Sequence, residues 1–506
     1  MIFFSVGVHI LRPHCFILQK SFCKFVAMME WSHILNQLAT ATFDFVYFAA
    51  IIGTIVVIIL DNRNPVKTLA WMMVLLFLPF VGLILYFFFG RNQRRVRIIS
   101  RKGYGHLLKK PMAEYLAQES VNPPAEYERL IAFFNRTEQA FPFEGNRVEV
   151  YTDGASWLQA LLHELSQAQH HIHLESYIIE DDAVGRMVRD VLVDKARQGV
   201  EVRVIYDDVG CWHVPAHFFR QMLEAGIEVR SFLKVRFPLF TSKVNYRNHR
   251  KVVVVDGRIG FVGGMNLAER YVRGLSWGVW RDTHLRLEGK AIHGLQTVFL
   301  LDWYFVNGSL LTSLPYFPKL EQVGSSMVQI VTGEPIGPWQ EMMQGMLMAI
   351  SSARRYCYIQ TPYFLPTEPM LQALQTAALS GVDVRLMLPQ RADSRLTHWG
   401  SCSYLGDVLR AGVKVYFYRK GFLHSKLLVC DDHLCSVGST NIDFRSFEHN
   451  FEVNAFVYDP EVARRIRLVF LHDQRECDPV TLKAWGKRPW HRKATESVVR
   501  LMAPLL

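Results

Sequence analysis

The hydrophobic pattern separates an apolar N-terminal part from a longer part in which apolar and polar positions alternate. Residues 45–60 and 68–90 contain no charged side chain, and about 20 apolar residues in a helix span the hydrocarbon core of a bilayer. The second stretch has that length, and the first attains it if residues 39–44 are added. The pattern predicts two transmembrane helices joined by a short polar turn. The alternative is a buried helical hairpin in a soluble core, but no neighbouring segment would cover so apolar a pair.

Beyond residue 145 the pattern changes to short apolar runs separated by amphipathic stretches. Runs such as GVEVRVIYDD, from Gly199, are typical of buried strands. Stretches such as WLQALLHELSQAQ, from Trp157, place their apolar residues on one side of a helix. Strands and helices that alternate along a chain are typical of an α/β domain.

The alternation occurs twice, and both copies carry the same residues at one offset. GVEVRVIYDD has a counterpart in GVDVRLMLPQ, from Gly381. Five residues of the first copy recur 175 positions later: His249 and His424, Lys251 and Lys426, Asp256 and Asp431, Gly263 and Gly438, and Asn266 and Asn441. The sequence therefore predicts one α/β domain that is present twice.

Each copy contains the pattern HxKxxxxD on a strand that is otherwise apolar. In the first copy, His249 and Lys251 open a run of valines. Since a strand alternates its faces, both ionisable side chains point the same way. One copy alone would also fit a surface strand that begins with a chance histidine and lysine. Two copies with identical spacing indicate a functional site.

The paired motif, followed in each copy by a glycine and an asparagine, resembles the phospholipase D superfamily over residues 146–473. In that family each half contributes one motif to a single active site. The apolar hairpin, QTPYFLP at 360–366, STNIDFRSFEHNFE at 439–452 and the C-terminal APLL further resemble the bacterial cardiolipin synthases. The resemblance implies an α/β fold with two tandem phospholipase D-like α/β/α domains around a pseudo-twofold active site, preceded by an N-terminal transmembrane helical hairpin.

The implied organisation has six parts. They are an N-terminal extension (1–40), two transmembrane helices (41–90), a basic juxtamembrane linker (91–145), two phospholipase D-like domains (146–318 and 319–475) and a C-terminal tail (476–506). The first residues lack the basic region of a secretory signal. Met28 or Met29 is an alternative start of the chain.

Charge is concentrated next to the apolar segments. The net charge of +11 over 506 residues favours a polyanionic partner, either nucleic acid or an anionic membrane. Six basic residues lie within residues 91–102, against Arg63 and Lys67 in the polar turn. This asymmetry predicts a cytoplasmic C-terminal part, with the basic run against anionic headgroups. We expect an anionic membrane and no nucleic acid as partner, and the resemblance implies a multi-pass protein of the bacterial inner membrane.

The residue types of the motifs suit transfer at a phosphodiester, which needs a nucleophile, a proton donor and positive charge around the phosphoryl oxygens. The candidate catalytic residues are His249, Lys251, Asp256, His424, Lys426 and Asp431, and the candidate substrate-binding residues are Asn266 and Asn441. One histidine would form a phosphohistidine, and the other would protonate the departing glycerol and then activate the incoming hydroxyl. The symmetry of the halves leaves the nucleophile open, and we favour His249. Neither a divalent cation nor another cofactor is then expected.

A carboxylate bonded to the second ring nitrogen would set the tautomer of each histidine. The family places an acidic residue downstream of each motif histidine, and this chain has Asp282 and Glu452 there, 33 and 28 positions on. We therefore expect Asp282 to orient His249 and Glu452 to orient His424. The alternative is that both carboxylates form surface salt bridges on ordinary strands.

Other polar groups have structural interpretations. Asp256 and Asp431 end the motif strands, and we expect them to bond backbone N–H groups and to take no part in the chemistry. HHIH, at 170–173, opens a predicted strand and is expected to be structural and not a zinc site. The eight cysteines contain no CxxC pair and should be free thiols, with Cys430 and Cys435 in the core.

These expectations describe a membrane-anchored phosphatidyltransferase that joins two molecules of phosphatidylglycerol into cardiolipin and releases glycerol. A phosphatidylserine synthase, a hydrolytic phospholipase D or a nuclease would use the same histidines, although a nuclease would not need two membrane helices. A non-enzymatic scaffold would be expected to lose a motif residue, and both motifs are intact. Tyr363, Arg445 and Ser446 could bind the second lipid or belong to the core. The sequence leaves open whether phosphatidylethanolamine serves as donor, and the oligomeric state.

Overall fold

The structure is a computed structural model that describes residues 12–60, 65–86, 90, 123–235, 245–335 and 339–505. Contacts between residues divide the chain into two compact units, Met1–Arg91 and Asn92–Leu506. The basic run at 91–102, on which the predicted membrane orientation depends, lies outside the described residues.

The N-terminal unit consists of helices α1 (Arg12–Leu60), α2 (Pro65–Phe77) and α3 (Pro79–Leu85). Within α1, His33–Leu60 is long and apolar enough to cross a membrane, and it is the one such helix among the described residues. A helix is therefore present where the first membrane helix is predicted, and it extends further towards the N-terminus than residue 45.

The second predicted membrane helix, over residues 68–90, is not continuous. It breaks at Leu78, because Pro79 has no N–H to donate and its ring clashes with the carbonyl group four residues earlier. Beyond the break, α3 packs against α2. A Cβ atom on Gly82 would lie only 3.0 Å from the Val74 carbonyl oxygen. The prediction of a single helix is wrong for this segment, which forms two short helices.

The larger unit begins with helix α4 (Glu128–Glu138) and continues as two halves. The first half contains β1 (Phe143–Tyr151), α5 (Gly154–Gln167), β2 (His171–Ser176), α6 (Ala183–Arg197), β3 (Glu201–Asp207), α7 (Ala216–Glu224), β4 (Glu228–Phe232), β5 (Arg247–Asn248), β6 (Lys251–Val255), β7 (Ile259–Gly263), α8 (Arg270–Arg273), β8 (Val279–Arg281), β9 (His284–Glu288) and α9 (Ile292–Asn307).

The second half repeats this order and adds a C-terminal segment. It contains β10 (Ser326–Gly333), α10 (Glu341–Ser352), β11 (Tyr356–Gln360), β12 (Phe364–Leu365), α11 (Glu368–Leu379), β13 (Asp383–Pro389), α12 (Arg395–Arg410), β14 (Lys414–Tyr418), β15 (Gly421–Leu423), β16 (Leu427–Cys430), β17 (Leu434–Gly438), β18 (Ile442–Asp443), α13 (Phe444–Glu448), β19 (Asn450–Tyr458), α14 (Pro460–Gln474), β20 (Cys477–Val480), α15 (Leu482–Gly486) and α16 (Trp490–Leu501).

Strands of both halves form one sheet, sixteen-stranded within the described residues. Its order is β20-β14-β13-β11-β16-β17-β19-β10-β1-β9-β7-β6-β2-β3-β4, with β5 attached to β19. Apart from β20, the order is symmetric about the antiparallel pair of β1 and β10, where Phe143 lies opposite Val328. The predicted α/β domain is therefore present twice, and the two copies share a sheet.

Helices cover both faces of this sheet, which is why its central strands are apolar throughout. In β6, Val252 belongs to the core cluster that contains Leu295 of α9, whereas the next residue, Val253, belongs to the cluster that contains Leu161 of α5. The ionisable residues of the motif stand at the start of this apolar strand, so they lie at one edge of the sheet.

Two short strands cross between the halves. Strand β5, which leads into His249, pairs in parallel with β19, so that Arg247 lies opposite Asn450. Strand β15, which leads into His424, pairs in parallel with β8 of the first half. Each motif histidine is therefore delivered to a strand of the other half.

Two segments predicted as linker and tail are partly folded. Helix α4, within the predicted linker, places Leu130 and Phe134 in the core of the second half. Within the predicted tail, β20 extends the sheet beside β14, and α16 packs along α12.

Candidate active site

Each motif histidine bonds a buried carboxylate through Nδ1. His249 Nδ1 lies 3.1 and 3.0 Å from the two oxygens of Glu452, and His424 Nδ1 lies 2.6 Å from Asp282 Oδ2. Both carboxylates are fully buried. An ionised carboxylate can only accept, so Nδ1 carries the hydrogen and Nε2 is the ring nitrogen left to react.

The pairing is the reverse of the one that we predicted, in which Asp282 orients His249 and Glu452 orients His424. The backbone explains the difference. His249 N–H donates to the Phe451 carbonyl oxygen at 2.9 Å, and His424 N–H donates to the Arg281 carbonyl oxygen at 2.7 Å. These bonds continue the two crossing strand pairs, so each histidine lies beside the carboxylate of the other half.

Donors around Glu452 stabilise its ionised form. The carboxylate accepts from the Ser439 hydroxyl and from Asn450 Nδ2 at 3.1 Å. Burial alone would raise the pKa of Glu452, but His249 and Lys251 hold it below its ordinary value.

The environment of Asp282 has the same effect through other groups. Its carboxylate accepts from the Thr283 N–H at 2.7 Å. Burial would raise the pKa of Asp282, but the Lys426 ammonium group and His424 lower it below the ordinary value. Both halves thus present an ionised carboxylate to a histidine.

The motif lysines are buried beside their histidines. Lys251 Nζ donates to the His249 carbonyl oxygen, and Lys426 Nζ donates to that of His424. Burial lowers the pKa of Lys251 to about 7 and that of Lys426 to about 8. Both amines therefore titrate near neutral pH.

Burial also lowers the pKa of the histidines, to about 4 for His249 and to about 3 for His424. Glu452 opposes the shift at His249, whereas Lys426 adds to it at His424. Both imidazoles are neutral at physiological pH, which is the state of a nucleophile or a general base.

The two motif asparagines differ in their bonding. Asn266 accepts from the Ile178 N–H at 3.1 Å and donates to the Tyr271 hydroxyl at 2.5 Å. Asn441 Oδ1 is buried without a hydrogen-bond partner among the described residues, and its backbone N–H donates to Ser446 Oγ at 3.2 Å. Asn266 and Asn441, which occupy equivalent positions in the two motifs, therefore differ in the hydrogen bonds of their side chains.

One cavity of about 460 Å³ joins the two motifs. Both histidines and both asparagines line it. The full lining is Tyr177, Ile178, Arg247, His249, Asn266, Arg270, Tyr271, Trp280, Tyr363, Leu365, Asp393, Thr397, His424, Asn441, Asp443, Arg445 and Asn450. Three arginines and two carboxylates from this set make the wall strongly polar.

Asp256 and Asp431 are not among the lining residues. The Asp256 carboxylate accepts from the backbone N–H groups of residues 169, 170 and 171. Asp431 accepts from those of residues 354, 355 and 356. The structure confirms that these aspartates bond backbone N–H groups, although the bonded segments are the entries to β2 and β11 and not their own turns.

Several lining residues carried no signal in the paired motif. Tyr177 packs against His249 with ring centroids 5.0 Å apart, and Arg247 lies 3.4 Å from the buried Asp207. A weak signal was available for Tyr177, because it follows β2 as Tyr363 follows the equivalent strand β11.

The residues that we associated with the second lipid have different positions. Tyr363 lines the cavity and donates to Asp393 Oδ2 at 2.6 Å, and Arg445 lines the cavity as well. Ser446 lies behind Asn441 and is buried. Tyr363 and Arg445 therefore line the cavity, and Ser446 does not.

The HHIH histidines form a buried hydrogen-bond chain. His171 Nε2 lies 3.2 Å from Gln296 Oε1, and Gln296 Nε2 lies 2.7 Å from His173 Nδ1. In the described part of the chain, no cluster of three or more His, Cys, Asp or Glu side chains could hold a metal ion. The six cysteines whose side chains are described are free and buried, and Cys430 and Cys435 lie in the core as predicted.

Comparison with known proteins identifies both parts of the chain. The family model described as cardiolipin synthase, PLD-like domain matches residues 161–276 and 346–474, and a phospholipase D-nuclease N-terminal model matches residues 48–91. A crystal structure of phosphatidylserine synthase from Haemophilus influenzae has the same fold, with a TM-score of 0.59 at 13% identity, over 75% of this chain and 100% of that one.

Curated relatives match most of the chain. The major cardiolipin synthase of Bacillus subtilis is 41% identical over 468 residues, which are 90% of this chain and 97% of the relative. A cardiolipin synthase of Geobacillus thermodenitrificans is 41% identical over 457 residues, which are 89% of this chain and 91% of the relative. The chain therefore belongs to the cardiolipin synthase family of phospholipase D-like proteins.

Proposed function

We propose that this protein is a phosphatidyltransferase that condenses two molecules of phosphatidylglycerol into cardiolipin and releases glycerol. The observation that carries the proposal is the pair of carboxylate-bound histidines, one from each half, on the wall of one cavity. Membership in a family whose members are named cardiolipin synthases supports this reaction.

In the first half-reaction, His249 Nε2 attacks the phosphorus atom of one phosphatidylglycerol. A P–N bond forms, the bond from phosphorus to the glycerol oxygen breaks, and the phosphatidyl group remains on His249. His424 gives its Nε2 proton to the leaving oxygen, so that glycerol departs neutral. Burial and, after it, the Lys426 charge lower the pKa of His424. The phosphodiester anion offsets that charge, so lipid binding raises the pKa of His424 and favours the protonated acid that this step needs.

In the second half-reaction, the second phosphatidylglycerol replaces glycerol. His424, now neutral, accepts the proton of the terminal headgroup hydroxyl, and that oxygen attacks phosphorus. The P–N bond breaks, His249 is restored, and cardiolipin leaves. His424 ends protonated, and once cardiolipin has left it returns to the neutral state of the free protein until the next lipid binds.

Charge around phosphorus comes from the chain itself in this proposal. Lys251 and Lys426, with Asn266 and Asn441, would hold the nonbridging oxygens. Addition of EDTA should therefore leave the rate within about twofold, whereas loss of a catalytic metal would remove several kcal/mol of transition-state stabilisation. A collapse of activity that zinc or magnesium restores would contradict this part of the proposal.

The second lipid would be held by other residues of the cavity lining. Arg445 offers a cation for its phosphate group, and the Tyr363–Asp393 pair offers a donor and an acceptor for headgroup hydroxyls. Phosphatidylethanolamine has an ammonium group in place of those hydroxyls, so we expect phosphatidylglycerol to be preferred.

We place the protein in the bacterial cell membrane, with both apolar segments of the N-terminal unit in the bilayer and the catalytic halves in the cytoplasm. Support comes from the candidate span His33–Leu60 and from the basic residues at 91–102. Accessibility of single cysteines to impermeant reagents, on either side of sealed vesicles, tests this topology.

The decisive experiment uses purified full-length protein with phosphatidylglycerol as its sole lipid and measures cardiolipin and glycerol in equal amounts. His249→Ala and His424→Ala should each remove nearly all turnover. Because the two histidines act in series on one phosphoryl group, the double variant should be no worse than either. Substantial turnover in a single variant would remove that histidine from the reaction.

Radiolabelled phosphatidylglycerol identifies the nucleophile. If His249 forms the adduct, His424→Asn should form it slowly, because the leaving glycerol lacks its proton donor, and should then hold the label, because release also needs the second histidine. His249→Asn should retain none. The reverse pattern would exchange the two roles.

A further inference from the structure

Helix α16 (Trp490–Leu501) exposes an apolar stripe that the catalytic halves leave uncovered. Trp490 is 80% exposed, Val498 62% and Leu501 82%. Val498 and Leu501, three residues apart, are neighbours on one side of the helix, and Trp490 lies on the same side about 12 Å nearer the N-terminus of the helix. Leu505, just beyond the helix, is 52% exposed. A contiguous exposed apolar patch marks an interaction surface more often than single exposed residues do.

The other side of α16 is held firmly by the second half. Glu496 and Val499 are buried. Glu496 accepts two bonds from Arg488, at 2.6 and 2.8 Å, and Arg500 bonds Asp407 at 2.8 Å. These contacts fix which side faces outwards, so the apolar stripe belongs to the folded surface.

Exposed basic side chains lie on α16 and just before it. Residues 481–505 contain six lysines and arginines, of which Lys483, Lys487, Arg492 and Lys493 are exposed. The segment's one acidic residue, Glu496, is buried against Arg488. The segment thus combines exposed apolar and exposed cationic side chains, which suits an anionic lipid surface.

The N-terminal end of α16 lies towards the cavity. Helix α12, on which α16 packs, begins beside the cavity, where Thr397 is a lining residue. His398 lies in the first turn of α12. Burial lowers the pKa of His398, and the positive charge of Arg492 lowers it further. Further along, Arg500 reaches Asp407. The two helices therefore run in the same direction, with Trp490 at the cavity end.

We propose that the C-terminal docking face, defined as Trp490, Val498, Leu501 and Leu505 with the exposed lysines on and just before α16, inserts into the headgroup region of an anionic bilayer beside the cavity. The proposal rests on the proposed function, since a bilayer in this position lets a phospholipid headgroup enter the cavity sideways. Tryptophan is suited to this depth, because its ring is apolar and its N–H reaches water.

A fluorescent label on the face tests the proposal in the full-length protein. Val498→Cys is made in a background with Cys15→Ser and Cys23→Ser, because the other six cysteines are buried. The labelled protein is reconstituted into vesicles of phosphatidylglycerol and phosphatidylcholine that contain lipids brominated on their acyl chains. We expect a blue shift and quenching of the label.

The matched control is the same label on Gln198→Cys. Gln198 is exposed in the turn before β3, whereas the other end of that strand, Asp207, contacts the cavity residue Arg247. This label should stay in water and escape quenching.

Three outcomes would contradict the proposal. An exposed, unquenched label at position 498 would show that the face touches nothing. A shielded label that brominated lipid does not quench would show that protein covers the face, either a second copy or another part of this chain. Equal quenching in vesicles of phosphatidylcholine alone would overturn the choice of an anionic surface.

Turnover gives an independent measurement. Trp490→Ser with Leu501→Ser should lower turnover on phosphatidylglycerol vesicles about fivefold or more, since two apolar side chains no longer leave water, and should leave turnover in detergent micelles unchanged. Leu379→Ser, at a position 73% exposed at the end of α11, is the matched control. An equal loss in vesicles and micelles would contradict a docking role. Absence of cardiolipin synthesis in micelles would instead refute the proposed function, and the quenching experiment would still report on the face.

Discussion

Lys251 and Lys426 are residues of the site that lose their charge as the pH rises from neutral. Burial lowers their pKa values to about 7 and about 8. Each is an ammonium group below its pKa and a neutral amine above it, so rising pH removes the charge that attracts a phosphodiester. We expect KM for phosphatidylglycerol to rise between about pH 7 and 9, and kcat to change less, because bound phosphate stabilises the ammonium form. Steady-state kinetics in micelles measures both.

Lys426→Arg is the control for this pH dependence. A guanidinium group stays charged throughout the range, so the variant should lose part of the rise in KM. A profile that is identical in wild type, Lys251→Arg and Lys426→Arg would assign the titration to other groups.

Asp256 shows how a motif residue can matter without touching the cavity. It has φ 53° and accepts three backbone N–H bonds. Asp256→Ala should lower the free energy of unfolding by about 1–3 kcal/mol, because one exposed and two partly buried N–H donors lose their acceptor, with kcat of the folded protein unchanged. Asp256→Asn should cost less, since asparagine still accepts and tolerates positive φ. Thermal unfolding in detergent and kcat are measured on the same samples to separate the two roles. A large loss of kcat with unchanged Tm would make Asp256 catalytic.

At the scale of elements, the short strands β5 and β8 decide which carboxylate meets which histidine. A phosphatidyl ester of p-nitrophenol separates the half-reactions, because p-nitrophenolate leaves without a proton. Glu452→Gln disturbs His249 and should slow the initial burst of p-nitrophenolate by roughly 10²–10⁴-fold. Asp282→Asn disturbs His424 and should leave the burst but slow the steady state. Stopped-flow absorbance records both phases.

Glu164→Gln is the matched control, since it removes a carboxylate that bonds Arg286, outside the cavity, and no motif histidine. We expect this control to show neither the slowed burst of Glu452→Gln nor the slowed steady state of Asp282→Asn. With the pairing seen in the structure, a slowed burst in Asp282→Asn and a retained burst in Glu452→Gln would make His424 the nucleophile.

The elements also show which parts of the fold the sequence could predict. The repeated α/β halves were predictable, because their strands are long apolar runs and the motifs share one offset. The pairing of β5 with β19 and of β15 with β8, which crosses between the halves, was not predictable. Strands β5 and β8 are only two and three residues long, and β5 pairs with residues 203 positions away. Arg247 was not predicted as a cavity residue because the equivalent position of the second half is Phe422. A search for residues repeated in both halves therefore does not find Arg247.

At the scale of the whole molecule, every residue of the cavity lies in the unit Asn92–Leu506. Deletion of residues 1–91 should therefore leave turnover of detergent-dispersed phosphatidylglycerol nearly unchanged. Turnover on intact vesicles should fall, because a protein without an inserted helix binds a bilayer only weakly and reversibly. Parallel assays of both proteins in micelles and in vesicles measure the difference.

Salt then separates the two membrane contacts. The deleted protein keeps the basic and apolar C-terminal docking face, so its residual turnover on anionic vesicles should depend on electrostatic attraction and fall as salt is added, since exposed charges are screened over about 8 Å at physiological ionic strength. The full-length protein should respond much less, because its apolar helix holds it at the bilayer whatever the salt. Vesicle flotation at each salt concentration shows whether activity follows binding. If the deleted protein worked on vesicles as well as the full-length protein at physiological salt, the N-terminal unit would not be what keeps the cavity at the membrane, and its apolar helix would have to serve targeting or assembly instead.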